Sequence, residues 1–187
     1  MNRLATLWML GASLFAPLDS LDQVVQRAVQ AARRPALERP VWVVNQFGLH
    51  VVVAGLLIGV AVLDRAAGIE TVRTALITLV PTNALVEGLK LACNRIRPDG
   101  TRRRANSSFP SSHAANAFAL ALVLSRRWRR LAPGFLTIAA AVGFARIYLN
   151  RHFLSDVVVG AAIGVLSGWA VARWREKRRT ARAAAGP

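Results

Sequence analysis

The chain has 187 residues, 54% of them hydrophobic and only 18% charged, with a formal net charge of +16 at pH 7 and a mean hydropathy of +0.37. A soluble globule carries about a quarter charged residues, so this composition excludes an ordinary water-soluble domain and assigns the apolar surplus to lipid. The arginines fall in short clusters between apolar runs, Arg126 to Arg130 and Arg173 to Arg182. That is the positive-inside pattern of a membrane protein, and it excludes the continuous basic surface of a nucleic-acid binder.

Leu4 to Ala16 is apolar but shorter than the roughly 20 residues a spanning helix needs, and it is expected to insert only in part. From Leu18 to Ala32 apolar residues recur at helical spacing, with Asp19, Asp22, Gln23, Gln26, Arg27 and Gln30 opposite. This predicts an amphipathic helix lying in the membrane interface. Pro35 and Pro40 should interrupt any helix there. Five spans follow: Val41 to Leu63, Thr71 to Cys93 with a kink at Pro81, Ser112 to Leu124, Leu131 to Leu149, and Asp156 to Trp174. A polar turn over Asp64 to Glu70 and a long loop over Asn94 to Ser111 separate them. Gly160, Gly164 and Gly168 stand at the small-xxx-small spacing of close helix packing. The expectation is an all-α integral-membrane bundle of about five to six spans. Residues 1–40 form its N-terminal segment, 41–175 the bundle, and 176–187 a basic disordered tail. Cys93 is the single cysteine, which excludes an internal disulfide and a thiolate metal cluster.

Two polar stretches interrupt the apolar pattern, KLACNRIRPDGTRRRANSSFPSSH from Lys90 to His113 and RIYLNRHFLSD from Arg146 to Asp156. Both fall on the membrane face opposite the Arg126 and Arg173 clusters, so both are expected to face outward. Arg95, Arg102, Arg103 and Arg104 run against that rule. His152 and Asp156 are four apart at a helix start, where a carboxylate can fix one ring nitrogen and leave the other as base or nucleophile; an ordinary helix-start aspartate is the plain alternative. Arg146 is a charge inside an apolar run, and a charge at membrane depth is expensive unless used; snorkelling to the interface competes with that use. Lys90 and Arg97 add two cations, although Glu87 could neutralise Lys90. At Ser111, Ser112 and His113 a loop gives way to a helix, whose first N–H groups and hydroxyls suit an anion; capping by serine is compatible with this. Three cations without matching acids predict an anionic ligand of phosphate type. Two histidines, His113 and His152, would complete a metal-free phosphoryl transfer. A metal site is disfavoured, because the surrounding arginines would repel it.

Together the segments Lys90-LACNRI-Arg97-Pro98, Pro110-Ser-Ser-His113 and Ala145-Arg146-IYLNR-His152-FLS-Asp156 resemble the three-part signature KxxxxxxRP, PSGH and SRxxxxxHxxxD. That signature belongs to the type 2 phosphatidic acid phosphatases, the PAP2 or lipid phosphate phosphatase family. Two positions depart from it: Ser112 stands for glycine and Ala145 for serine, and each should reshape a phosphate contact. The resemblance implies His152 as the nucleophile that becomes a phosphohistidine, oriented by Asp156, with His113 protonating the leaving group. It implies Lys90, Arg97, Ser111, Ser112 and Arg146 as phosphate ligands, no metal and no cofactor. It also implies a lipid mono- or diphosphate substrate, namely undecaprenyl diphosphate, phosphatidylglycerophosphate, phosphatidate or lipid A. The setting would be the bacterial inner membrane, with the site towards the periplasm. A phosphotransferase on the same scaffold and a non-catalytic lipid-phosphate carrier are the rival readings.

Overall fold

A computed structural model describes residues 18–48, 50–101 and 106–184; the apolar segment Leu4 to Ala16 and the arginines 102–104 lie outside the described residues. The fold is helical: α1 (18–31), α2 (Pro35–Gln46), α3 (His50–Leu63), α4 (Arg65–Cys93), α5 (Ser112–Arg127), a 3-10 turn at Arg129–Leu131, α6 (Ala132–Tyr148) and α7 (Leu154–Ala184). No strand occurs among the described residues.

The bundle is built around α5, which packs against α4, α6 and α7. Its inner residues are small, with Ala114, Ala115 and Ala119 fully buried. This lets α7 approach closely through the glycines singled out above. A Cβ at Gly164 would stand 2.2 Å from the Ala115 carbonyl oxygen, and one at Gly160 would stand 2.5 Å from that of Ser111. Leu79, Leu120, Val123 and Leu124 fill the α4–α5 seam. The outer surfaces of α3, α4 and α7 stay apolar and exposed, as at Ile58, Val80 and Leu166, which is the face a bundle turns to lipid.

Among the described residues three helices are long and apolar enough to cross a membrane, over Ala67–Cys93, Arg129–Tyr148 and Leu154–Ala181. The remaining expected spans are shorter. α5 has 16 residues and is walled by protein on three sides, so its length need not match the lipid. The span expected over Val41 to Leu63 is broken into α2 and α3 by a turn at Phe47 and Gly48. A break falls just before Pro35 as expected, and Pro35 then opens α2, where its missing N–H matters least, whereas Pro40 does not interrupt the helix but lies inside it. The polar turn expected at Asp64 to Glu70 is instead the first turn of α4.

The tail expected to be disordered continues α7 as helix to Ala184. Alanine and arginine are strong helix formers, and the Arg173 and Arg178 guanidiniums stack over the Trp169 and Trp174 rings at 5.4 and 4.6 Å. At this end of the bundle Arg127 pairs with Asp64 at 2.8 Å and Arg175 pairs with Glu70. The polar stretches meet at the other end.

α1 shows its apolar residues Leu18, Leu21 and Val24 outward and buries Asp22 and Gln26. The polar face is therefore tied down: Gln26 and Gln30 donate to the Ile147 carbonyl, each at 3.2 Å, and Gln26 reaches Asn150 at 2.6 Å. Asn150 adopts a left-handed conformation, φ 57°, which asparagine tolerates and which reverses the chain between α6 and α7.

Candidate active site

The site forms where four chain segments end together. α4 stops at Asn94, a left-handed C-cap (φ 43°) whose N–H returns to the Lys90 carbonyl. The following loop is anchored by two bonds between Ser108 or Ser107 and the Arg95 backbone, both 2.8 Å. Ser111 caps α5 by accepting from the Ala114 N–H at 3.4 Å, while its own N–H donates to the Asp156 carbonyl at 3.0 Å. The α6–α7 turn then delivers Arg151 and His152.

A cavity of about 560 Å³ opens among these ends, lined by Lys90, Arg97, Ser112, His113, Arg146 and His152, with Trp42, Asn45, Glu87, Asn106 and Arg151 around them. Six of the eight residues picked out from the sequence therefore share one wall. The other two stand behind it. Ser111 is fully buried, and its hydroxyl oxygen accepts from the Ala114 N–H at the head of α5. Asp156 is also fully buried.

The expected bond from His152 to Asp156 is not made in the expected way. Their nearest atoms stand 3.7 Å apart, beyond hydrogen-bond reach, and His152 Nδ1 instead lies 2.6 Å from the Ser108 carbonyl oxygen. A carbonyl only accepts, so Nδ1 carries the hydrogen and Nε2 keeps its lone pair. Asp156 acts one step back: its Oδ2 accepts from the Ser108 hydroxyl at 2.5 Å and from the Phe153 N–H at 2.8 Å. Burial first, and then the positive charge of Arg146 and Arg97, push the His152 imidazole down to about 4. It is neutral at physiological pH.

The cations differ in their partners. Lys90 bonds the Ser112 hydroxyl and pairs with Glu87 at 2.8 Å. Arg97, 6% exposed, donates to the Asn106 carbonyl (3.0 Å), the Asn106 side chain (2.5 Å) and the Arg151 carbonyl (3.2 Å). Arg146, 7% exposed, donates to Asn45 Oδ1 at 2.5 Å, and its buried Nε meets no acceptor among the described residues. Neither arginine meets a carboxylate among the described residues. Burial, followed by the repulsion of Arg151, holds the Arg97 guanidinium below its ordinary range. Two buried, unneutralised guanidiniums beside a neutral imidazole make a socket for an anion.

Sequence reasoning did not reach Asn45, Gly48, Arg95, Asn106 or Ser108. Gly48 lies against the His113 ring, where a Cβ would stand 2.6 Å from Cδ2. That contact leaves no room for a side chain at position 48. Asn45 was visible as a polar residue in an apolar run. Ser108 carried no signal, because its partners His152 and Asp156 are 44 and 48 residues away.

Residues 71–180 match the model of the PAP2 superfamily. The lipid A 1-phosphatase of Porphyromonas gingivalis is 41% identical over 88 residues, 45% of this chain but 19% of that protein. The phosphatidylglycerophosphatase B of Bacillus subtilis is 26% identical over 180 residues, 86% of each chain. The crystal structure of Aquifex aeolicus LpxE superposes with a TM-score of 0.73 at 30% identity, over 82% of this chain and 95% of that one. The chain thus spans about a fifth of the length of one curated relative and most of another. With its three motifs gathered in one cavity and its family match over most of the bundle, this chain belongs to the PAP2 superfamily.

Proposed function

We propose that the protein is a metal-independent membrane phosphatase that removes the terminal phosphate of a lipid mono- or diphosphate through a phosphohistidine. The observation that carries the reading is the pair of buried arginines, Arg97 and Arg146, held by neutral partners beside a histidine whose Nε2 is free. In this reading Lys90, Arg97, Ser112 and Arg146 hold the phosphoryl oxygens and stabilise the charge that grows on them in the transition state. His152 Nε2 bonds to phosphorus as the bond to the lipid oxygen breaks, and His113 gives that oxygen its proton. Water then attacks the phosphohistidine, His113 takes the proton back, and inorganic phosphate leaves.

The names of the relatives support lipid A and phosphatidylglycerophosphate as substrates of the first assay, with undecaprenyl diphosphate and phosphatidate beside them. The basic clusters at the far end of the bundle support a cytoplasmic placement for that end, which turns the cavity outward, to the periplasm of a bacterial inner membrane.

The test is phosphate release from those four lipids in detergent, with EDTA present throughout. Release from at least one is expected, together with a loss of roughly 10⁴-fold in His152→Ala. Activity that appears only with an added divalent cation would overturn the mechanism. Appearance of phosphate on an acceptor lipid instead of in solution would turn the reading to phosphotransfer.

A further inference from the structure

Arg95 differs from the other buried arginines. Its side chain is 8% exposed, it does not line the cavity, and it is surrounded by carboxylates. Nη1 donates to Asp156 Oδ1 and to the Ser155 hydroxyl, both at 2.7 Å. Nη2 donates to Asp22 at 2.7 Å and to Asp19 at 2.9 Å, both on α1. The guanidinium carbon sits 4.4 Å from the centre of the Phe153 ring. Asp22 reaches further, accepting from the Ser155 N–H at 2.9 Å and the Ser155 hydroxyl at 2.5 Å, at the start of α7.

We infer that Arg95 is a positioning residue and that Asp22, reaching in from α1, holds it, so that the N-terminal helix sets where His152 stands. This rests on the phosphatase reading above. The linkage is continuous: Asp22 to Arg95, Arg95 to Asp156, Asp156 to the Ser108 hydroxyl, and the Ser108 carbonyl to His152 Nδ1. Each link is a charge-assisted or short hydrogen bond inside a buried region, where such bonds hold geometry tightly. Without Arg95, Asp22 and Asp156 would face each other as buried like charges. Asp156 would then shift or take up a proton, and the Ser108 carbonyl would move with it. Asp22, Arg95, Ser108 and Asp156 do not line the cavity, so the linkage acts on the nucleophile and not on phosphate binding.

The experiment uses the full chain in detergent, with kcat and KM measured on the lipid phosphate that the wild type hydrolyses best. Asp22→Asn keeps a side chain able to cap α7 but removes the negative charge that faces Arg95. It is expected to lower kcat about 10- to 100-fold, the scale of losing an outer partner of a working histidine, with KM within about twofold. Arg95→Met is expected to do the same, Arg95→Lys to recover part of the loss by reaching Asp156 alone, and the double variant to be no slower than Arg95→Met. Size exclusion and thermal unfolding monitor folding; should Arg95→Met fail to fold, Asp22→Asn decides. An unchanged kcat in Asp22→Asn, a rise in KM matching the fall in kcat, or additive losses in the double variant would each overturn the inference and leave the phosphatase reading standing. A wild type that releases phosphate from none of the lipids would overturn both.

Discussion

Arg97 and Arg146 hold the phosphate proposal at the scale of single residues, because each is buried with neutral acceptors where a resting protein would normally supply a carboxylate. Removing either should raise KM and lower kcat together, since the phosphoryl oxygens are gripped in both the ground and the transition state. His152 makes a second prediction. Its folded value lies near 4 against an ordinary 6.5, so the neutral nucleophile persists well into acid. The His152 limb of the kcat/KM profile should therefore fall near pH 4, once the second ionisation of the substrate near pH ~6 is allowed for. A limb at 6.5 would show that the histidine is not buried as described. For stability the sign is the same: between pH 6.5 and 4 the unfolded chain binds a proton that the folded chain refuses, so stability declines as pH falls through that window. The cations and histidines were legible from sequence because each breaks an apolar pattern. The 3.7 Å gap between His152 and Asp156 was not, because helical spacing says which side chains can meet and not which acceptor wins.

For whole elements, the seam between α5 and α7 depends on glycine. A methyl at Gly164 would meet the Ala115 carbonyl and the Ala119 nitrogen, both backbone and unable to yield. Gly164→Ala should destabilise the protein by about 1–3 kcal/mol, seen as a lower unfolding temperature in detergent. Gly59→Ala on α3 faces open space and should be neutral or gain about 0.5–1 kcal/mol from helix propensity. Equal effects at the two positions would refute the packing described here. Glycine spacing foretold the close seam. The break between α2 and α3 escaped the sequence, because a glycine in an apolar run does not announce the His113 ring that lies against it some 65 residues further on.

Across the whole molecule, the cavity and the Arg126 and Arg173 clusters lie at opposite ends of the bundle. With Cys93 replaced by alanine, a cysteine at Thr101 should react with an impermeant maleimide added to intact cells, and one at Thr180 should react only after lysis. The reverse pattern would invert the orientation proposed here. By itself the sequence determined the membrane setting, the helical class, the family motifs and the cations and two histidines that the structure gathers in one cavity. These follow from local composition and spacing, which act within a few turns of helix. Tertiary structure alone decided that α1 turns its polar face to the α6–α7 turn, that Arg95 pairs with Asp156 while Arg97 faces the cavity, and that the Ser108 carbonyl meets His152. Those choices depend on which buried charge finds which partner across more than 40 residues of chain, and a side chain's identity does not encode that distance.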